Sequence, residues 1–222
     1  MAHPDDLEHG AASAIAKWTA QGKQVTYLLV PKGEAGIDSM ELEETARVRV
    51  QEEIESATIV GVSDVNFFDY ADGVVEYGLP LRRDITRVIC QHRPDVLITL
   101  NHNLTFGGGM FNIADHWNVG LAVLDASRDA GNRWIFPELL KEGLEPWNNV
   151  RMVCVAGSPN PTHAVDVTGS LDKGIESLQK HRVYIQNLSN QFDPVEFLQS
   201  KASNVGGSIG CKYAVSFEVF GG

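Results

Sequence analysis

Short apolar strands alternate with helical segments along this chain, and that alternation restricts its fold more than any other feature. The runs 25–30 (VTYLLV) and 95–100 (DVLITL) are nearly all apolar or β-branched, which is typical of strands buried on both faces of a sheet. Helical spacing marks the segments 7–18, 41–60, 81–92, 115–130 and 171–188, and further strands are predicted at 65–68, 150–156, 164–167 and 211–220. The pattern predicts an α/β fold of the Rossmann-like type, with an open, mostly parallel, doubly wound sheet. No linker divides the chain, so we expect a single domain over residues 1–222.

The composition limits the partners of this chain. Its apolar fraction of 43% is enough to bury a sizeable core, and its formal net charge of −11 argues against binding to nucleic acids or anionic membranes. No apolar run approaches the roughly 18 residues that a membrane span requires. Cys90, Cys154 and Cys211 are widely spaced, which is typical of reduced thiols. We therefore expect a cytoplasmic protein with a small-molecule substrate, no nucleic-acid partner and no membrane span, and we leave a homo-oligomer open.

The motif HPDD stands just before the first predicted helix, and its polar side chains are candidate metal ligands. His3 and Asp6 lie three residues apart across a turn, so both can converge on one point. A third protein ligand must come from elsewhere, and the best candidate is His116, which opens its own helix after a predicted strand. In doubly wound sheets, ligands bind beyond the carboxyl ends of the strands. A His, Asp and His set leaves coordination positions for water, so we expect about one divalent metal here, with zinc as the first choice.

Two further aspartates adjoin these candidate ligands. Asp5 lies between the first two and is the natural general base. Asp115 precedes His116 and could orient a ring or hold the base in place. Both motifs also have a plain structural interpretation, since HPDD is compatible with a helix cap and the DH pair with an ordinary helix start. The residues by themselves leave these interpretations open.

Two other histidines lie near these motifs or follow a predicted strand. His9 belongs to the first predicted helix, where we expect it to face solvent. His163 follows a predicted strand in a loop that is rich in glycine and proline. Two roles stay open for His163, because it either lines the site or stabilises the loop.

A resemblance to a known family rests on HPDD, the segment 32–36 (KGEAG) and the DH pair. The chain resembles the metal-dependent N-deacetylases of the PIG-L/LmbE family over nearly its whole length. That family includes the N-acetylglucosaminyl-phosphatidylinositol de-N-acetylase and the deacetylase and amidase of mycothiol metabolism. Further anchors of the resemblance are Arg49 with Glu52 and Glu53, the segment 59–62 (IVGV), and Asp72 with Gly73. The resemblance implies that His3, Asp6 and His116 bind zinc and that Asp5 is the base. It also implies a hydrolase that removes an acyl group, above all acetyl, from an N-acylated amino sugar or related glycoside.

Two departures from the family pattern bear on the site. Family members place a buried strand before HPDD, of which only Met1 and Ala2 remain here, so we expect a truncated first strand. Many members carry a histidine that polarises the substrate carbonyl at the position where this chain has Ile113. His163 or a backbone N–H would then have to stabilise the oxyanion.

The role of Arg49 and the nature of the substrate have alternatives at this stage. Arg49 either contacts a phosphate or hydroxyl group of the substrate or forms an ion pair with Glu52 or Glu53 on the helix surface. The same metal site would also serve an amidase that acts on a small thiol conjugate. A non-catalytic relative that binds a metal or a sugar is a further alternative. Asp5 argues against it, because a pure binding site needs no base beside its ligands.

Overall fold

The computed structural model describes residues 1–188 and 192–221, in which helices and strands alternate. The elements in chain order are α1 (Asp6–Gly10), α2 (Ala12–Ala20), β1 (Thr26–Leu29), α3 (Leu42–Ile59), β2 (Asp64–Phe67), α4 (Leu79–His92), β3 (Val96–Leu100), α5 (Ala114–Asp129), α6 (Glu138–Lys141), β4 (Met152–Ala156), β5 (His163–Asp166), α7 (Leu171–Leu178), α8 (Arg182–Asn187), α9 (Pro194–Ile209) and β6 (Ala214–Gly221). The chain divides into two compact units, the first formed by residues 1–73 and 163–216, the second by residues 74–162 and those from 217 onward. The single domain expected over residues 1–222 stays a prediction.

In the first unit, the N-terminal residues run beside the end of a strand. β1 and β2 pair in parallel along their whole length. The carbonyl oxygens of Met1 and Ala2 accept the N–H of Val30 at 3.0 and 3.1 Å, and both residues are buried. The HPDD turn therefore begins next to the carboxyl end of β1, which is the edge where parallel strands present ligand-binding residues.

The helices of the first unit pack closely around α7. A Cβ atom on Gly174 would overlap the side chain of Ser13 on α2, and Ser170 Oγ donates to the Ser13 carbonyl at 2.7 Å. α9 covers another side of α7 through a cluster of buried apolar residues, namely Leu171, Ile175, Leu178, Leu198 and Ala202. This packing fixes the short segment that connects α7 to α8, which contains the fully buried His181.

In the second unit, α5 packs tightly against the neighbouring strand β3. A Cβ atom on Gly120 would lie 2.7 Å from the carbonyl oxygen of Leu100, so only glycine permits this approach. β3 pairs in parallel with β4, and β4 pairs in antiparallel with β6. The contact between α5 and β3 holds the helix that begins one residue before Asp115.

The α/β class is confirmed, but the open, mostly parallel, doubly wound sheet is not. The described strands form a parallel pair, β1 with β2, and a mixed sheet in which β6 lies between β4 and β5 and runs antiparallel to β4. The apolar composition of a strand predicts its burial but carries no information on its direction. Direction depends on how the connecting segments return the chain to the sheet.

Four helical regions differ from the sequence prediction. The first predicted helix is two helices, α1 and α2, and the predicted helix 171–188 divides into α7 and α8. α6 and α9 were not predicted at all. Asp193 caps α9 by accepting the N–H groups of Val195 and Glu196 at 2.8 and 3.3 Å, and Gly210 ends it with φ of 76°. These are ordinary start and stop signals that could have found α9.

The composition led us to expect no membrane span and reduced cysteines. None of the helices in the described part of the chain is long and apolar enough to cross a membrane. Cys90, Cys154 and Cys211 are free thiols, as predicted. The cytoplasmic location stays a prediction.

Candidate active site

The HPDD turn brings two of the predicted metal ligands together in the first unit. The N–H of His3 donates to Oδ2 of Asp6 at 2.6 Å, and Nδ1 of His3 lies 3.6 Å from the same oxygen. Both residues are buried, and α1 begins at Asp6. An imidazole nitrogen and a carboxylate oxygen thus lie near each other at the start of a helix, which is the donor chemistry that zinc prefers.

Asp72 holds the other ring nitrogen of His3. Nε2 of His3 lies 3.0 Å from Oδ1 of Asp72, while Ala35 N–H donates to Oδ2 of Asp72 at 2.8 Å. Burial raises the pKa of Asp72, but the hydrogen bond and charge of His3 outweigh it and hold that pKa below its ordinary value. Because the carboxylate of Asp72 accepts a hydrogen bond from Nε2–H of His3, a neutral His3 has its lone pair on Nδ1, the ring nitrogen nearer to Asp6. Metal-binding histidines are oriented in this way.

Asp5 occupies a backbone conformation that few residues other than glycine adopt. Its φ is 87°, in the left-handed region. The N–H of Asp5 donates to Oε2 of Glu53 at 3.1 Å, and its carbonyl oxygen accepts the N–H of His9 at 3.1 Å. Contacts from α1 and α3 therefore hold the turn. Backbone conformations of this kind cluster at functional sites, where the surrounding structure stabilises them.

The carboxylate of Asp5 is buried between the side chains of Arg49 and His9. Arg49 Nη2 donates to Oδ1, and His9 Nδ1 lies 3.2 Å from Oδ2. Burial raises the pKa of Asp5, but the charge of Arg49 and the hydrogen bond of His9 outweigh it, so the pKa lies below its ordinary value. Burial likewise lowers the pKa of His9, and the hydrogen bond and charge of Asp5 raise it by more. At neutral pH, Asp5 is therefore ionised, which is the state that a general base requires.

Arg49 lies beneath the turn, fully inside the unit. Its Nη2 also donates to the carbonyl oxygen of Pro4, and its guanidinium group stacks 3.7 Å from the ring centre of Tyr184. Of the two alternatives for Arg49, the ion pair with Glu52 or Glu53 on the helix surface was wrong, because the side chain of Arg49 is 2% exposed and its ion pair is with Asp5. A contact between Arg49 and substrate stays a prediction.

The glycines of the KGEAG segment allow its backbone to lie against Arg49. A Cβ atom on Gly33 would lie 3.0 Å from Nε of Arg49, and one on Gly36 would collide with Nη1. Gly33 also has φ of 74°, which disfavours other residues. The backbone of the KGEAG segment therefore packs directly against the guanidinium group of Arg49.

In the second unit, His116 has one ring nitrogen fixed by a neighbouring amide. Its Nδ1 lies 2.8 Å from Oδ1 of Asn112, and Nδ2 of Asn112 donates to the carbonyl oxygens of Asn101 and Asn103 at 2.8 and 2.9 Å. Those two bonds orient the amide, so its oxygen accepts and Nδ1 of His116 carries the proton. The lone pair of a neutral His116 is then on Nε2, where a metal can bind.

The remaining candidate residues differ in burial, since Asp115 is buried whereas His163 and Ile113 are exposed. Asp115 is 1% exposed and accepts the N–H of Val75 at 3.0 Å. His163 is the exposed first residue of β5, in the first unit. Ile113 precedes α5 and is 53% exposed. The roles expected for Asp115 and His163 stay predictions.

The part of the chain that holds most of these residues matches a known protein family. A family model described as GlcNAc-PI de-N-acetylase (PIG-L) matches residues 1–127, more than half of the chain. The chain belongs to the PIG-L family. The matched stretch includes HPDD, Arg49 and the DH pair, and it ends before His163.

Two similar proteins are deacetylases of an N-acetyl sugar, and a third is a hydratase. The chain is 27% identical to the diacetylchitobiose deacetylase of Thermococcus kodakarensis over 215 residues, covering 96% of this chain and 78% of that protein. The N,N′-diacetylchitobiose deacetylase of Pyrococcus horikoshii, solved with its inhibitor MPG, has 24% identity and a TM-score of 0.89, covering 99% of this chain and 81% of that one. The 4-carboxy-2-hydroxymuconate hydratase GalB of Pseudomonas putida has 18% identity and a TM-score of 0.76, covering 98% and 92%. Because a hydratase shares the fold, the reaction must be argued from the site.

Sequence reasoning missed several residues that contact the HPDD turn and His116. His9 was expected to face solvent, which was wrong, because it contacts the carboxylate of Asp5. Asp72 was noted only as part of the family resemblance, and Asn112 and Tyr184 were not noted. Asn112 stands four residues before His116, and that spacing on the approach to a helix was the one local signal available.

Proposed function

We propose that this chain is a metal-dependent N-deacetylase that hydrolyses the acetyl group of an N-acetylated amino sugar or related glycoside. The observation that carries the proposal is the buried, ionised carboxylate of Asp5, which stands between two candidate ligands, His3 and Asp6. A site that only binds a metal needs no such base. Membership of the PIG-L family and similarity to two chitobiose deacetylases support this choice of substrate class.

We assign the metal to His3, Asp6 and His116, following the family pattern. The donor set fits zinc, which binds imidazole nitrogen and carboxylate oxygen. The neighbours fit as well, because Asp72 leaves the lone pair of His3 on Nδ1 and Asn112 leaves that of His116 on Nε2. When bound, zinc supplies Lewis acidity and lowers the pKa of a water molecule to about 7.

Asp5 moves the proton in this mechanism. Its carboxylate takes a proton from the attacking water and returns it to the nitrogen of the leaving amine. Arg49 and His9 hold the carboxylate in place and keep it ionised before the reaction. Asp115, which is buried and accepts the N–H of Val75, is assigned a positioning role beside His116.

His163 is our choice for the donor that stabilises the oxyanion, since Ile113 has no polar group for that task. His163→Ala is expected to lower kcat by about 10²-fold with unchanged metal content, which is the effect typical of removing one oxyanion donor. Steady-state kinetics and metal analysis on the same samples measure both quantities. An unchanged kcat would transfer the role to a backbone N–H or to water.

A panel of N-acetyl sugars tests the proposed reaction. Purified protein with zinc is mixed with N-acetylglucosamine, N,N′-diacetylchitobiose or N-acetylglucosaminyl-inositol, and the free amine and acetate are measured. We expect both products in equal amounts from at least one sugar, loss of the reaction after chelation, and its return with added zinc. The chelated protein at the same concentration is the control, and its circular dichroism spectrum shows whether it stays folded without the metal.

The panel also separates the alternative functions. Amine release from small thiol conjugates, with none from the sugars, would indicate an amidase that uses the same metal site. Metal binding without hydrolysis of either class would contradict the proposal and indicate a non-catalytic member of the family.

A further inference from the structure

Glu8, Glu53 and His181 form a second group of candidate metal ligands, deep inside the first unit. Glu8 lies on α1, Glu53 on α3, and His181 directly before α8. Their exposed fractions are 2%, 0% and 0%. One donor atom of each residue lies within 4.8 Å of the others. None of these residues belongs to the catalytic metal site that we propose.

Several atoms of this cluster have no hydrogen-bond partner among the described residues. They are Oε2 of Glu8, Oε1 of Glu53 and both ring nitrogens of His181. Nearly all buried polar atoms in native proteins are paired, because an unpaired one loses its hydration without compensation. Four such atoms in one buried cluster therefore point to a ligand that binds there.

The distances within the cluster fit ligands around one cation. Nε2 of His181 lies 3.6 Å from Oε2 of Glu8 and 3.6 Å from Oε2 of Glu53. Those distances are too long for an N–H···O hydrogen bond, which spans about 2.7–3.2 Å. Two atoms that bind one tetrahedral zinc ion at about 2.0–2.2 Å are about 3.3–3.6 Å apart. The spacing therefore suits coordination better than direct hydrogen bonding.

The charges of the cluster also favour a divalent cation. Burial, followed by the charge of Glu8, raises the pKa of Glu53 well above its ordinary value. Two carboxylates, a neutral imidazole and a divalent ion together have no net charge, so the ion removes the repulsion. Tyr27 Oη is buried without a partner among the described residues, and burial and both carboxylates raise the pKa of Tyr27. The phenol group of Tyr27 is therefore uncharged at neutral pH and leaves the net charge of the site unchanged.

Hydrogen bonds from neighbouring residues already orient the two carboxylates. Ser56 Oγ and Ser177 Oγ donate to Oε1 of Glu8 at 2.6 and 3.3 Å, and the N–H of Asp5 donates to Oε2 of Glu53 at 3.1 Å. Outer contacts of this kind fix ligand orientation in metal sites. Because Glu53 also holds the backbone of Asp5, an ion here would stabilise the turn that carries the proposed base.

We propose that Glu8, Glu53 and His181 bind a second divalent cation of the zinc class in a closed structural site. All three ligands are buried, which is typical of a structural site and not of one that admits a substrate. Its role is to connect α1, α3 and the segment before α8. The proposal is independent of the reaction at the catalytic site.

Zinc content measured by mass spectrometry after gel filtration tests this site. The wild type should hold about two zinc ions per chain, His181→Gln and His116→Ala about one each, and the double variant none. His92→Gln, at the exposed end of α4, is the matched control and should keep both ions. A wild-type content of one ion that His181→Gln keeps and His116→Ala loses would overturn the second site. Failure of the proposed catalytic site would instead leave the zinc content of His116→Ala unchanged.

Crystals of the wild type grown with zinc answer the same question without a substitution. An anomalous difference map at the zinc absorption edge should show a peak between Glu8, Glu53 and His181. Density without an anomalous signal at that position would overturn the proposal. The isosteric variant Glu53→Gln should lose that peak, and chelation should lower the Tm of His116→Ala protein, whose remaining ion is the structural one.

Discussion

Asp5→Asn is expected to keep zinc and to lose amide hydrolysis by about 10²-fold or more, the effect typical of removing a general acid–base group. The two side chains have the same shape, but an amide cannot take up a proton from water and return it to an amine. The native carboxylate is buried, and Arg49 and His9 hold its pKa below the ordinary value. The measurement is kcat for amine release, with zinc content determined on the same sample.

The control for this variant is an aspartate outside the site. Asp172 is exposed in the first turn of α7, and Asp172→Asn should have wild-type kcat and zinc content. Asp5→Asn leaves the charge of buried Arg49 without its carboxylate, so its Tm should fall as well. Circular dichroism therefore gives the folded fraction by which kcat is corrected. Near-normal corrected kcat with zinc retained would show that another residue is the base.

His116→Ala is expected to lose about one equivalent of zinc per chain and, with it, all measurable amide hydrolysis. A catalytic zinc ion is held by three protein ligands, and alanine removes one of them. Asn112 fixes the proton of His116 on Nδ1, so the substitution also deletes a ring that is already oriented for binding. Elemental analysis and the amine-release assay measure the two losses.

His92→Ala is the matched control, because this histidine is exposed at the end of α4 in the same unit. It should keep wild-type zinc and activity. Full zinc content in His116→Ala would contradict the ligand assignment. The zinc content and activity of His181→Gln show which ion each variant loses. Loss of the catalytic ion abolishes amide hydrolysis, whereas loss of the structural ion lowers the zinc content of a protein that still has the catalytic ion.

The sequence by itself determined where most secondary structure elements lie and which motifs could hold a metal. The helix expected at 41–60 is observed at Leu42–Ile59, and the strand expected at 95–100 is observed at Val96–Leu100. Periodicity, caps and apolar runs are properties of neighbouring residues, so they can be found without knowledge of the fold. The same local signals at Asp193 and Gly210 would have found α9.

Only the tertiary structure decided how the α/β elements combine into sheets. The strand predictions placed β4 and β6 correctly, but their antiparallel pairing depends on a return of the chain from α9. A strand that is buried on both faces has the same composition in either direction. Strand order and direction therefore required the whole fold.

The tertiary structure also decided which charged residues are buried. α3 was expected to be an ordinary amphipathic helix, yet its buried face carries Thr45, Arg49, Glu52, Glu53 and Ser56. Hydrophobic periodicity assigns such polar residues to solvent. A buried charge is stable only with a partner. Arg49 and Glu53 find theirs more than forty residues away, in the carboxylate and the N–H of Asp5 respectively. No local pattern records contacts at that separation, so the surroundings of the base and the buried Glu8–Glu53–His181 cluster were decided by folding alone.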